Sequence, residues 1–195
     1  EGQKELKATV YAVDLDPDTL ALNPTPSERK LLASGEDIPL PDGIADYVFS
    51  EHGFEHFEHP AKVLAECARL LKPKGRIIAI LPNGYAYHAI AARLIPYKLG
   101  QKYLRLIAER GKDSKLDKYP TYYRFNDRPT IARLAEEAGF SLLTFEAYAD
   151  APEYTTALPT PLHLAFCAYH LALEKTEVLK PWIGMNFLVI LEKRG

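Results

Sequence analysis

The chain has 195 residues, 47% of them hydrophobic and 26% charged, with a net charge of −2. That is enough for one globular domain with a sizeable core, and the mild acidity argues against a surface built as a whole for nucleic acid. No apolar run reaches membrane-spanning length, and no basic-then-apolar leader pattern is present.

Taken in order, Leu6 to Val13 reads as a strand that ends at Asp14-Leu15-Asp16, with Asp18 capping the following turn. Asn23 to Ser27 is a loop, and Arg29 to Ala33 is a short strand that runs into the turn Ser34-Gly35-Glu36-Asp37. Asp46 to Phe49 and Arg76 to Leu81 are continuously apolar runs, as expected of parallel strands buried on both faces. Between them Val63, Leu64, Cys67, Leu70 and Leu71 form one apolar helical stripe, which Pro73 and Gly75 stop. The unit is therefore βαβ, with a right-handed crossover. Ligands in such sheets sit off the carboxyl ends of the strands, here Ser50 to His59.

Asn83-Gly84 opens a long, tyrosine-rich insertion. Its apolar spacing suggests two amphipathic helices broken at Pro96. From Ala89 to Arg124 nine Lys/Arg stand against three acids, a local +6 that leaves −8 on the remainder. That segment reads either as a solvated helical surface or as the edge of a site for an anionic substrate or lipid headgroups. Ile131, Leu134, Ala135 and Ala138 mark another helix, with Asn126 or Asp127 as N-cap and Gly139 past its end. Ser141–Tyr148 is a strand, a last helix lies within Pro161–Lys180, and Asn186–Leu191 is the final strand. Cys67 and Cys167 fall on apolar helix faces, so buried thiols in a reducing, cytoplasmic compartment are expected.

His52-Gly53-Phe54-Glu55-His56 fits the inverted zinc-peptidase pattern, in which two histidines four apart on a helix grip one metal. That pattern needs a helix through all five residues, whereas Gly53 follows a strand end. No metal site is expected on this ground, and the peptidase stays a remote alternative.

The order and spacing of several short motifs resemble the class I S-adenosylmethionine (SAM)-dependent methyltransferases, in the small-molecule branch known as type 11. These are Ile38-Pro39-Leu40-Pro41-Asp42-Gly43, Asp46, Glu55-His56 and Leu71-Lys72-Pro73-Lys74-Gly75, where Lys74 stands in place of the family's first glycine. The resemblance runs from about Val10 to Phe140. It implies a doubly wound, Rossmann-like α/β fold, mostly parallel, with an antiparallel last strand and a helical cap inserted at 84–125. It implies SAM as cofactor, with Asp14 accepting the ribose hydroxyls and Leu15 against the adenine. Ser34 takes the place of the aspartate that binds the adenine amino group, with Gly35 beside the ring and Glu36 or Asp37 as a substitute acceptor. Ser50 and Glu51 border the cofactor, and His52 or His56 supplies a general base if the small-molecule acceptor needs one. Asp16 competes with Asp14 for the ribose role, and each histidine reads equally well as structural.

The family's glycine-rich turn is absent, since no Gly-x-Gly occurs. The family strand order is 3-2-1-4-5-7-6, so the strand before that turn is the central one. Three explanations arise: the strand and turn precede Glu1, another chain supplies them, or strands 2 and 4 close up directly. We expect the first. A non-catalytic, methyltransferase-like binding or partner domain is the main alternative to the enzyme.

Overall fold

The computed structural model describes residues 8–95, 99, 102, 120–148, 155, 158–176 and 184–195. Strand β1 (Ala12–Asp14), helix α1 (Pro17–Leu22) and strand β2 (Lys30–Leu32) form a small βαβ unit, with Val13 opposite Leu31 in a parallel pair. A four-stranded sheet follows. Strand β3 (Ala45–Glu51) crosses through α2 (Pro60–Leu70) to β4 (Leu71–Pro82), and the two strands are parallel. Helix α3 (Tyr87–Leu94) opens the insertion. Helix α4 (Arg128–Glu137) leads into β5 (Phe140–Tyr148), and α5 (Thr160–Glu174) precedes β6 (Asn186–Lys193). The order is β3-β4-β6-β5, with β6 antiparallel to both neighbours. This is the mostly parallel, doubly wound α/β sheet with an antiparallel last strand that the sequence implies.

The helical stripe packs as its spacing dictates. Val63, Leu64, Cys67 and Leu70 of α2 are buried, as are Ile131, Leu134 and Ala135 of α4. Val63, Leu64, Cys67 and the α4 set join Ile77, Ala79 and Leu81 of β4 and Phe187, Val189 and Leu191 of β6 in one core. Each such side chain removed from water is worth about 1.5–3 kcal/mol. Leu71 is not the last residue of the helical stripe. It is extended, opens β4 and pairs with Ala45, because Pro73 two residues on cannot continue a helix. The Pro73–Gly75 turn is therefore an irregularity inside the strand, and the β3–β4 register shifts between Ala45 and Tyr47.

One expectation fails. β4 is buried, but β3 is not buried on both faces: Tyr47 is 54% and Phe49 72% exposed. The reason lies in the pairing. Among the described residues β3 is hydrogen-bonded only to β4, and β1 only to β2, so the sheet falls into two pieces. Among the described residues β1 and β3, the family's second and fourth strands, do not pair with each other. Phe49 and the stretch Val10 to Asp14 instead line one cavity of about 380 Å³ between the pieces.

The last helix begins at Thr160, and the final strand extends two residues past Leu191. Most of the 84–125 cap, including its second helix and most of its basic residues, lies outside the described residues. No helix among the described residues is long and apolar enough to cross a membrane.

Candidate functional site

β1 delivers Asp14 to its carboxyl end. Oδ1 of Asp14 accepts the Asp16 backbone N–H at 2.8 Å, and its other oxygen makes no hydrogen bond among the described residues. Asp16 is differently employed. Its buried carboxylate accepts from Thr19 N–H at 3.2 Å and from Thr19 Oγ1 at 2.6 Å, which makes it the N-cap of α1. The expected cap, Asp18, sits inside the first turn instead, because the helix starts two residues earlier, at Pro17. Leu15, between the two acids, is exposed. A half-buried carboxylate with one oxygen to spare suits a vicinal diol, which needs an acceptor for each hydroxyl.

The turn after β2 is held by its own atoms. Ser34 Oγ accepts from Glu36 N–H at 3.1 Å, and Ser34 bridges to Asp37. A Cβ on Gly35 would lie 3.0 Å from the Phe57 ring, so the packing of Phe57 is what requires glycine there. Glu36 faces Lys62 at 3.5 Å. The next loop, Ile38 to Asp42, is clamped onto α2. Arg69 donates to the carbonyls of Ile38 and Leu40, to Asp42 and to both oxygens of Glu66. Glu66 in turn accepts the Ile38 N–H at 2.7 Å. The Arg69 hydrogen bonds hold the Glu66 carboxyl below its usual range against the opposing effect of burial, and the same bonds raise Arg69.

The carboxyl edge of β3 carries Ser50, Glu51 and His52 in succession. Glu51 is exposed and Ser50 partly buried. His52 has φ of +51°, yet its N–H still donates to Ile80 O at 2.9 Å, as the last rung of the β3–β4 ladder. A single 3₁₀ turn, Phe54–His56, follows. It is too short, and starts too late, to place His52 and His56 on one α-helical face, so the zinc-peptidase geometry is not present. Nor does any group of three or more His, Cys, Asp or Glu suited to a metal ion occur among the described residues.

Phe54 anchors this turn against Phe57 and Phe125, with ring centroids 5.5 and 4.8 Å away. Its burial turns Glu55 inward as well. Glu55 Oε1 lies 3.6 Å from His52 Nδ1. His56 Nδ1 lies 3.1 Å from the Pro120 carbonyl. The backbone of the cap's end is tied to the same turn, since Tyr122 and Tyr123 N–H both donate to Glu55 O.

Sequence reasoning missed a second brace, at the end of β4. Asn83 Nδ2 donates to Gly184 O and its Oδ1 accepts Tyr85 N–H, while Asn126 Nδ2 donates to Pro82 O. Both asparagines are buried. The available signal was two asparagines flanking the insertion, Asn83 just after an apolar strand and Asn126 just before a helix. Asn126 is thus a cross-brace, and Asp127 is the N-cap of α4.

Comparison with known proteins agrees with this geometry. Residues 2–79 match the model of a methyltransferase domain family. The ubiquinone/menaquinone biosynthesis C-methyltransferase UbiE of Paraburkholderia phymatum is 28% identical over 123 residues, 59% of this chain and 47% of that protein. The same enzyme of Burkholderia cenocepacia is 29% identical over 129 residues, 62% and 49% respectively. The chain thus spans about half the length of the curated relatives it matches. Among solved structures, a Bacillus halodurans protein assigned to the methyltransferases aligns over 95% of this chain and 83% of its own, with TM-score 0.55 and 16% identity. A SAM-dependent methyltransferase of Archaeoglobus fulgidus aligns over 93% and 74%, with TM-score 0.52 and 17% identity. The front of the chain thus matches a methyltransferase domain family, and the chain has the fold of the methyltransferases it aligns with.

Proposed function

We infer that the protein transfers a methyl group from SAM to a small-molecule acceptor. The observation that carries this reading is Asp14, which ends β1 with one carboxylate oxygen to spare while its neighbour Asp16 is used up as a helix cap. Asp14 would hold the ribose hydroxyls, with Leu15 beside the adenine and the Ser34-Gly35-Glu36 turn and Ser50-Glu51 bordering the rest. When bound, SAM supplies a methyl group activated by an adjacent positive sulfur.

The chain's own part is to position and to exclude water, because little else is needed when the leaving group is good. The Arg69 clamp fixes the loop beside the Ser34 turn, and the Asn83 and Asn126 braces fix the end of β4. His52, at the carboxyl edge of β3, is the group best placed to take a proton from the acceptor. The names of the curated relatives support a small-molecule acceptor.

Calorimetric binding of S-adenosylhomocysteine to the full-length protein, followed by transfer of labelled methyl to a panel of quinol, phenol and carboxylic acceptors, tests the reading. Micromolar binding and a labelled product are expected. No binding by the full-length protein would leave a methyltransferase-like fold with a non-catalytic role.

A further inference from the structure

Glu55 is 5% exposed, and its Oε2 is buried with no hydrogen-bond partner. A carboxylate in that state is costly unless its charge meets another charge. The group within reach is His52, whose Nδ1 lies 3.6 Å from Oε1. That distance is longer than a good hydrogen bond, but a carboxylate this close still favours a proton on the nitrogen that faces it. Neither residue is free to drift. Phe54 is buried beside Glu55, and the Glu55 carbonyl accepts two backbone N–H groups from Tyr122 and Tyr123. His52 is tied to Ile80 and held in the left-handed backbone region that favours glycine. Strain of that kind persists where the surroundings over-determine it, as at working sites. The imidazole itself is 47% exposed, so Nδ1 faces a nearly buried carboxylate while much of the ring is open at the carboxyl edge of β3.

We propose that Glu55 is the positioning residue of a His52–Glu55 pair, in which the buried carboxylate holds the proton on Nδ1 and so keeps the lone pair on Nε2. This deepens the methyltransferase reading and rests on it for its chemical use. The proton lost by the acceptor goes to Nε2, the imidazolium so formed is balanced by Glu55, and the proton then passes to water. Glu55 touches neither acceptor nor cofactor. Its effect runs through the histidine, as a carboxylate behind an imidazole does in other proton-transfer sites.

The test needs no ligand. Ring-nitrogen NMR distinguishes the two neutral tautomers, and His52→Ala identifies the signals of His52 among the six histidines. The native protein should show His52 protonated on Nδ1 when neutral, and Glu55→Gln should lose that preference with its fold intact by circular dichroism. His52 protonated on Nε2 in the native protein overturns the proposal, as does a Glu55→Gln protein with unchanged His52 signals. If Glu55→Gln does not fold, the native tautomer alone decides. A second measurement separates this idea from the methyltransferase reading. In the active full-length protein, Glu55→Gln should lower kcat at least about tenfold, leave SAM affinity unchanged, and add nothing in a His52→Ala background. An Nδ1-protonated His52 in a protein that binds no SAM would retire the methyltransferase reading and keep the pair.

Discussion

Arg69 grips both carboxylate oxygens of Glu66, from Nε at 2.8 Å and from Nη2 at 2.7 Å, one turn away on the same helix. The rest of its guanidinium goes to the carbonyls of Ile38 and Leu40 and to the Asp42 carboxylate. Helix α2 thereby holds the loop that follows the Ser34 turn. Glu66 is buried, and its carboxyl is held below the usual 4.5 chiefly by the Arg69 hydrogen bond. A folded-state value below the unfolded one means stabilisation that is complete above the unfolded value and is lost as pH falls through the folded one. Glu66→Ala should cost about 2 kcal/mol at neutral pH. Urea unfolding should find that difference shrinking as pH drops from about 5 to about 3. A difference that stays constant down to acid would mean that the carboxylate's charge plays no part.

Asp14 and Asp16 sit two residues apart and should behave oppositely. Asp16→Ala removes the cap of α1 and should cost about 1 kcal/mol of stability. Asp14→Ala leaves that cap in place and should weaken SAM binding by the full-length protein more than about tenfold, as loss of a charge-assisted hydrogen-bonded pair does. Calorimetry and thermal melts on the two variants separate these effects. Unchanged SAM affinity in Asp14→Ala would remove it from the ribose site.

The contrast between these acids shows what sequence could and could not give. The β3–α2–β4 unit and the α2 stripe were legible because apolar periodicity records burial directly, from Val63 through Leu70, whereas the antiparallel direction of the last strand came only with the family resemblance. The cap of α1 was misplaced by two residues, since Asp16 and Asp18 both precede apolar positions and only the Pro17 start decides between them. The exposure of Tyr47 and Phe49 could not be read from their own sequence. Burial of a strand depends on its neighbours, and among the described residues β3 has one where its composition calls for two. Glu55 read as a motif letter beside His56, while its contact with His52 depends on how a 3₁₀ turn rotates the side chains.

The two cysteines give an internal comparison. Cys67 is buried within the core stripe of α2, and its thiol is pushed up to about 12 by that burial, with Glu66 adding to the effect. Cys167 is partly exposed on α5, with its sulfur 3.7 Å from His163 Nε2. Iodoacetamide at neutral pH should therefore modify Cys167 in the folded protein and spare Cys67, because the thiolate is the reacting form. Peptide mass spectrometry reads the ratio, and both should react in denaturant. Equal labelling in the native state would contradict the packing of α2.

Lys74 occupies a backbone position that favours glycine, with φ of +66°. The resemblance at Leu71 to Gly75 places a glycine there. A side chain in the left-handed region costs about 1–2 kcal/mol. Lys74→Gly removes that cost, and gives back about 0.5–1 kcal/mol through the greater freedom of glycine in the unfolded chain. It also loses the Lys74–Glu192 contact at 3.6 Å, an exposed pair that contributes little and whose acid keeps Arg76 at 2.9 Å. The net expectation is a gain of up to about 1 kcal/mol. The next residue should behave in the opposite way. A Cβ on Gly75 would lie 2.9 Å from Lys72 O and 3.2 Å from Asp46 O, both backbone atoms that cannot turn aside. Gly75→Ala should therefore destabilise by more than about 1 kcal/mol, through displacement of the β3–β4 register at its irregular start. Urea titration of both variants reads the two signs. A less stable Lys74→Gly together with a neutral Gly75→Ala would show that the turn does not hold this backbone in solution.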